Sequence, residues 1–199
     1  MRKNNFISIF ILFSVIYLFS CNKKEIQSTV GNTPIKEAID TKTPADTIYS
    51  QSNPSANFGF RFHATKNGKI TRLGCRMPEI GTYEVTLWDF NTKNLLANKS
   101  ISITASDDFF YSLITSVAIV ANKDYVISVN NSSSAISKKY FQLFKKPTPA
   151  TNLYPFTVKD IVIVEPLYKS GATSACPDYN NSSDFPYLRG LSDFEFIAD

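Results

Sequence analysis

The segment from Gly68 to Asp89 alternates regularly between apolar and polar residues, and this alternation restricts the chain more than any other feature. Two apolar sets recur at every second position: Leu73, Cys75 and Met77, then Tyr83, Val85 and Leu87. A period of two is typical of a β-strand that buries one face. Pro78 removes a backbone donor between the two sets, and Gly81 permits a turn with positive φ. We therefore predict two β-strands paired through a short turn.

Comparable short alternating segments occur through the rest of the chain, separated by turn-forming residues such as Asn67-Gly68. Clear examples are Phe58, Phe60 and Phe62, followed by Tyr125, Ile127 and Val129. No window after the first 21 residues shows helical periodicity. Short strands at this spacing predict an all-β domain, an antiparallel β-sandwich of jelly-roll-like type, over residues 47–199. A domain of this size can bury a proper core.

The first 20 residues are typical of a targeting segment, because Arg2 and Lys3 precede an apolar run over residues 6–19. The run is too short for a membrane-spanning helix, which needs roughly 20 residues. Residues 18–21, Leu-Phe-Ser-Cys, resemble a bacterial lipobox, which implies cleavage before Cys21 and attachment of acyl chains to it. A plain signal peptide with an incidental Cys21, or a short uncleaved anchor, are the alternatives.

Residues 21–46 are polar and rich in Lys, Thr, Asn and Pro, and we predict a flexible tether there. The residue after Cys21 is Asn22 rather than Asp, which resembles outer-membrane sorting. We therefore expect a bacterial outer membrane lipoprotein held to the membrane by lipid on Cys21. Whether it is periplasmic or surface-exposed stays open.

The charge of the mature chain excludes nucleic acid as an expected partner. Removal of residues 1–20 deletes Arg2 and Lys3, so the formal net charge falls from +4 to +2. Beyond the pairs 138–139 and 145–146, the lysines and arginines form no cluster interleaved with aromatic residues.

Two cysteines remain besides Cys21. Cys75 and Cys176 could pair in an oxidising compartment. Cys75 lies on the apolar face of its predicted strand, where a buried thiol behaves as a small hydrophobic group. We therefore favour two unpaired cysteines.

Several motifs between residues 58 and 130 together resemble family 4082 of the domains of unknown function. They are GFRF at residues 59–62, GKITRLG at 68–74, LW at 87–88, LLA at 95–97, and the pattern V-x-I-x-A-x-x-x-YVIS-V over 117–129. The resemblance departs at residues 76–81, where the loop is shorter than in many members. It implies a secreted or surface β-sandwich, often beside carbohydrate-related modules, and it supplies no catalytic residues.

Residues that could support catalysis or metal binding are few. His63 is the only histidine, and we interpret it as a surface residue. The acids Asp107, Asp108 and Asp184 could supply a carboxylate pair for glycoside hydrolysis, but adjacent acids in a loop are usually solvated. We predict no catalytic residue and no enzymatic activity.

A calcium site is the only metal site that the sequence suggests. Oxygen ligands of the kind calcium prefers occur at Asp178, Asn180, Asn181 and Asp184. These residues lack a firm spacing signature, so we interpret them as a polar loop and predict neither metal nor cofactor.

Aromatic residues make up 14% of the chain, which suits stacking against sugar rings. Trp88 and Tyr140 are the ligand-binding candidates, with core packing as the competing interpretation. Tyr154, Tyr168, Tyr179 and Tyr187 follow as weaker candidates. The favoured function is a lipid-anchored envelope or cell-surface β-sandwich binding module, with glycans as the candidate ligand. The alternative is a structural or assembly subunit that docks another envelope protein, and a hydrolase ranks last.

Overall fold

The structure is a computed structural model that describes residues 31–199, except residues 53, 135, 145–151 and 181–185. These residues form an antiparallel β-sandwich with one short helix, as the sequence predicts. None of their helices is long and apolar enough to cross a membrane. The cleavage site and Cys21 lie outside the described residues.

One layer of the sandwich is a six-stranded antiparallel sheet. With strands numbered in chain order, its members from edge to edge are β11 (Phe156–Val158), β12 (Ile161–Ser170), β2 (Ala56–Ala64), β7 (Tyr125–Asn130), β4 (Gly81–Asp89) and β5 (Leu95–Ile103).

The other layer consists of two three-stranded sheets. The first contains β14 (Ser192–Ala198), β3 (Gly68–Arg76) and β6 (Phe109–Ile119), in that order. The second contains β1 (Thr47–Gln51), β10 (Tyr140–Phe144) and β13 (Leu188–Arg189), in that order. A small hairpin of β8 (Ser132–Ser133) and β9 (Ile136–Ser137) stands apart.

The core lies between the two layers and is built largely from aromatic rings. Phe62 of β2 packs against Phe194 of β14, with ring centroids 4.5 Å apart. Phe58, further along β2, stacks on Tyr140 of β10 at 4.2 Å. Both three-stranded sheets therefore face the same side of the six-stranded sheet, which leaves its opposite side as an outer face.

The predicted pairing of the two strands between Gly68 and Asp89 is wrong. Both strands exist as β3 and β4, but β3 pairs with β6 and β14, whereas β4 pairs with β5 and β7. The connecting residues 77–80 cross from one layer to the other, and the φ of Gly81 is not positive. Met77 is fully buried at this crossing. Alternation shows only that a strand has one buried face. Two strands in facing sheets, which bury these faces against each other across the core, alternate in the same way as two strands paired in one sheet.

Residues within the predicted tether are in fact part of the domain. Helix α1 (Pro34–Asp40) buries Ile35 and Ala38 completely, and the backbone of Asn32 pairs with that of Phe196 on β14. The tether prediction is therefore wrong for residues 31–46. A helix of seven residues is too short to show a periodic pattern, and the side chain that caps its first turn, Asp193, is far away in sequence.

Both described cysteines are free, as favoured from the sequence. Cys75 is fully buried in the core, and this burial raises the pKa of its thiol. Cys176 is 8% exposed, and burial also raises its pKa. Each thiol thus stays protonated at neutral pH and packs as an apolar group.

Candidate functional site

The outer face of the six-stranded sheet carries a continuous row of side chains across five strands. From β12 to β5, the cross-strand neighbours are Glu165, Arg61, Val126, Trp88 and Leu95. We call this set the Trp88 row. Two register irregularities shape it, one between Ile163 and Glu165 and one between Leu87 and Trp88. Glu165 lies two residues after the inward-facing Ile163, so in a regular strand it would also face inward. The irregularity between these two residues turns Glu165 outward instead.

Trp88 is half-buried in this row, and its orientation is fixed. The indole Nε1 donates a hydrogen bond of 3.1 Å to Ser128 Oγ on the neighbouring strand β7. Opposite Ser128, on β2, stands Gly59, where an added Cβ would lie only 2.1 Å from the carbonyl oxygen of Ile127. The absence of a side chain at Gly59 therefore lets β2 and β7 approach closely beside the tryptophan.

Arg61 links the charged groups at one end of the row. Its Nε lies 2.8 Å from Glu165 Oε1 and its Nη1 lies 3.4 Å from Asp124 Oδ2. The guanidinium also lies over the ring of Phe90, 4.8 Å from the centroid. The three charged side chains are 17–29% exposed, so water reaches them only partly. One guanidinium thus contacts two carboxylates and leaves part of each within reach of a ligand, and the formal charge of the three side chains is one negative.

His63 extends this charged cluster. It is half-buried rather than a freely exposed surface residue, and its Nδ1 lies 3.3 Å from Asp124 Oδ1. Asp124 is therefore shared between an imidazole and a guanidinium. Among the described residues, no group of three or more His, Cys, Asp or Glu side chains could hold a metal ion.

Residues 171–175 cover the part of the outer face on the other side of Trp88. Asn57 Nδ2 and Asn130 Nδ2 both donate to the carbonyl oxygen of Thr173, at 3.0 and 3.2 Å. The hydroxyls of Thr86 and Ser174 share a hydrogen bond of 2.8 Å. Trp88 therefore lies between this covered region and the partly exposed charged cluster around Arg61.

The structure separates the two aromatic candidates for ligand binding. Trp88 lies on the outer face, as described above. Tyr140 is fully buried and stacks on Phe58 inside the core, so its ring does not face solvent. The proposal of Tyr140 as a ligand-binding residue is corrected accordingly, because the strand that carries it packs its ring inward.

The acids considered for catalysis do not converge. Asp107 and Asp108 are exposed on a loop, where Asp107 Oδ1 lies 3.7 Å from Arg76 Nη2 and Asp108 accepts from the backbone N–H of Phe109. Asp184 lies outside the described residues.

The residues considered for calcium are engaged elsewhere where they are described. Asp178 forms an ion pair of 2.9 Å with Lys169, and the amide of Asn180 donates to Glu165. Asn181 and Asp184 lie outside the described residues. Asn180 therefore joins the Trp88 row through Glu165.

A groove of about 550 Å³ lies between the edge strands β5 and β6. Its lining includes Leu96, Leu113 and Ile114, and Leu113 is 67% exposed. The groove is on the side of the sandwich opposite α1, because β5 and β6 are the last strands of their sheets.

The cluster of Arg61, Asp124 and Glu165 was not recognised from the sequence. The alternation of Phe58, Phe60 and Phe62 does place Arg61 and His63 on the polar face of β2. The pairing of β2 with β7 and β12, which supplies the two carboxylates, joins residues far apart in the chain and has no local signal.

Comparison with known proteins supports a family assignment. No match was found among curated proteins. The family model described as domain of unknown function DUF4082 matches residues 41–187, well over half of the chain. The matched region contains every residue of the Trp88 row, while α1 and β14 lie outside it. The chain therefore belongs to the DUF4082 family of β-sandwich domains.

Proposed function

We propose that this protein is a lipid-anchored binding module of the bacterial outer membrane, and that it binds glycans through the outer face of its six-stranded sheet. The observation that carries the proposal is the position of Trp88, whose ring is held by Ser128 next to the charged cluster around Arg61. Binding sites for small ligands typically combine an apolar surface with a few fixed polar groups.

The chemistry of a sugar ring fits this arrangement. One face of a pyranose presents C–H groups, which pack against an indole ring. Its hydroxyl groups both donate and accept hydrogen bonds, so they match the carboxylates of Asp124 and Glu165 and the donors of Arg61 and His63. The two carboxylates outnumber the one guanidinium of Arg61, which disfavours an anionic ligand and is compatible with a neutral sugar.

The same pairing favours binding over catalysis. Glycoside hydrolysis needs one carboxyl group that is protonated and a second that is free to act as base or nucleophile. Asp124 and Glu165 both pair with the single guanidinium of Arg61, so neither carboxylate is free to act as base or nucleophile. We therefore propose a binding protein rather than a hydrolase.

The proposed anchor rests on the resemblance of residues 18–21 to a lipobox. Acyl chains on Cys21 would hold the domain at the membrane at about 0.8 kcal/mol per buried methylene. The described residues begin at Gly31, and the chain enters the domain beside β14.

The fluorescence of Trp88 tests the glycan proposal directly, because Trp88 is the only tryptophan of the chain. The full chain, purified in a detergent without sugar groups, is titrated with cellohexaose and with mannohexaose. We expect a saturable change in emission with at least one of them, and about tenfold weaker binding in Arg61→Met. Leu113→Ala, on β6 in the other layer, is the control.

An unchanged emission with both sugars would contradict the glycan proposal. If an envelope protein co-purifies with the chain under the same conditions, the docking function is favoured instead.

A further inference from the structure

A second cluster of aromatic rings lies on the three-stranded sheet of β1, β10 and β13. The ring of Tyr49 meets that of Phe144 edge to face, with centroids 5.4 Å apart and planes at 87°. Phe144 in turn contacts Tyr187 at 6.2 Å. We call these three residues the Tyr49 cluster.

Strand pairing places polar side chains beside these rings. Tyr49, Gln142 and Arg189 are direct neighbours across the three strands. The guanidinium of Arg189 lies 5.6 Å from the centroid of the Tyr187 ring. The cluster thus places an amide and a guanidinium beside an aromatic surface, the combination that small-ligand sites use.

The rings are held in place before any ligand arrives. Tyr49 Oη donates a hydrogen bond of 3.1 Å to Oε1 of Gln142, whose side chain is almost fully buried. Tyr154 Oη donates one of 3.2 Å to the carbonyl oxygen of Tyr187. Because the aromatic side chains are already ordered, a ligand would not have to immobilise them.

Tyr49 is nevertheless accessible, since 41% of the residue is exposed. Burial of its hydroxyl raises the pKa of Tyr49, so the phenol stays neutral at physiological pH. An exposed, neutral and oriented ring suits the apolar face of an uncharged ligand.

This cluster belongs to the opposite layer from the Trp88 row. The sheet that carries it packs its inner side against the six-stranded sheet, as the stacking of Tyr140 on Phe58 shows. An added Cβ at Gly190, just after β13, would lie 2.6 Å from the Cβ of Phe58. Along β10, Tyr140, Gln142 and Phe144 alternate onto one face, so the Tyr49 cluster lies on the face of its sheet that is turned toward the six-stranded sheet, whereas the Trp88 row lies on that sheet's outer face.

We propose that the Tyr49 cluster is a second carbohydrate-binding surface, which receives an uncharged pyranose ring against Tyr49 and Tyr187. This inference rests on the proposed function, because it assigns the same ligand class to a second site. Two separate sites let one domain bind two glycan chains, and on a multivalent surface this raises the overall avidity without any new contact.

Calorimetry of the full chain with cellohexaose and mannohexaose, in a detergent without sugar groups, tests the second site. We expect two sites per chain, and one site in Tyr49→Ala whose titration of Trp88 fluorescence is unchanged. Tyr49→Phe keeps the ring and is expected to retain binding within about threefold. Leu113→Ala is the control, because Leu113 is 67% exposed and lies on the groove between β5 and β6, outside both clusters. Circular dichroism verifies that each variant is folded.

The outcomes separate the two proposals. One site that is lost in Trp88→Ala and kept in Tyr49→Ala would overturn the second surface alone. One site that is lost in Tyr49→Ala and kept in Trp88→Ala would support the second surface and overturn the Trp88 site. No binding of either sugar would overturn both.

Discussion

The phenol of Tyr111 on β6 reaches across β3 and donates a hydrogen bond of 2.7 Å to Asp193 Oδ2 on β14. Gly74 of β3 stands between them in the same cross-strand row. An added Cβ at Gly74 would lie 2.3 Å from Cδ1 of Tyr111. The missing side chain lets the ring lie flat over β3, and Asp193 in turn accepts from the backbone N–H groups of Ile35 and Lys36.

Replacement of Gly74 by Ala is expected to displace the Tyr111 ring and break its bond to Asp193. A buried carboxylate that loses a donor costs about 1–3 kcal/mol, so we expect a fall of about 2 kcal/mol in the free energy of unfolding. Urea denaturation measures this value. In a cycle with Tyr111→Phe, the two effects should be strongly non-additive, and simple additivity would show that Gly74 does not act through Tyr111.

Asp193 is expected to make stability depend on pH between about 4 and 6. Complete burial raises its pKa to about 6, against the hydrogen bonds from Tyr111, Lys36, Ile35 and Phe194 that lower it. The folded pKa exceeds the ordinary value of 3.8, so the folded state binds more protons in this range and stability falls as pH rises through it. The loss is on the order of 2–3 kcal/mol, complete near pH 7.

The pH dependence of stability is compared between the unchanged protein and Asp193→Asn. The difference between the two isolates the titration of Asp193 from that of other groups. The charged groups Lys36 and Asp40 on α1, which pair with each other, are present in both proteins. Urea midpoints between pH 4 and pH 7 should fall with rising pH more steeply in the protein than in Asp193→Asn. Parallel profiles would contradict the assignment.

Cys21 is expected to carry lipid. Cells that express the full chain should incorporate labelled palmitate into it if Cys21 is the acceptor of the proposed acyl chains. Cys21→Ala should abolish the incorporation, while Cys176→Ala, which removes a thiol within the domain, should leave it unchanged. Label that persists in Cys21→Ala would exclude the anchor.

The sequence predicted the positions of the strands much better than it predicted which strands pair with each other. Alternation at Phe58–Phe62 and at Tyr125–Val129 correctly identified β2 and β7, since a buried face depends only on local spacing. The same alternation suggested a hairpin of β3 with β4, because it holds no information on which strand lies alongside. Pairing depends on the packing of the whole core.

The candidate site was predictable only in part. Trp88 was identified from its residue type, whereas the charged groups near it come from strands that lie far apart in the chain. Helix α1 escaped prediction for a similar reason, since it depends on Asp193, 158 residues after Ile35. Single-sequence patterns contain no signal for contacts of this kind.

The docking of residues 31–46 onto the sandwich limits how far the domain can stand from the membrane. Cys21 and Gly31 are ten residues apart, and ten residues span at most about 35 Å in any conformation. A tether that reached Thr47 would have spanned about 90 Å. With the proposed anchor on Cys21, this short connection keeps the β14 side of the sandwich close to the membrane surface. The edge strands β5 and β6, at the far side of their sheets, would then point outward.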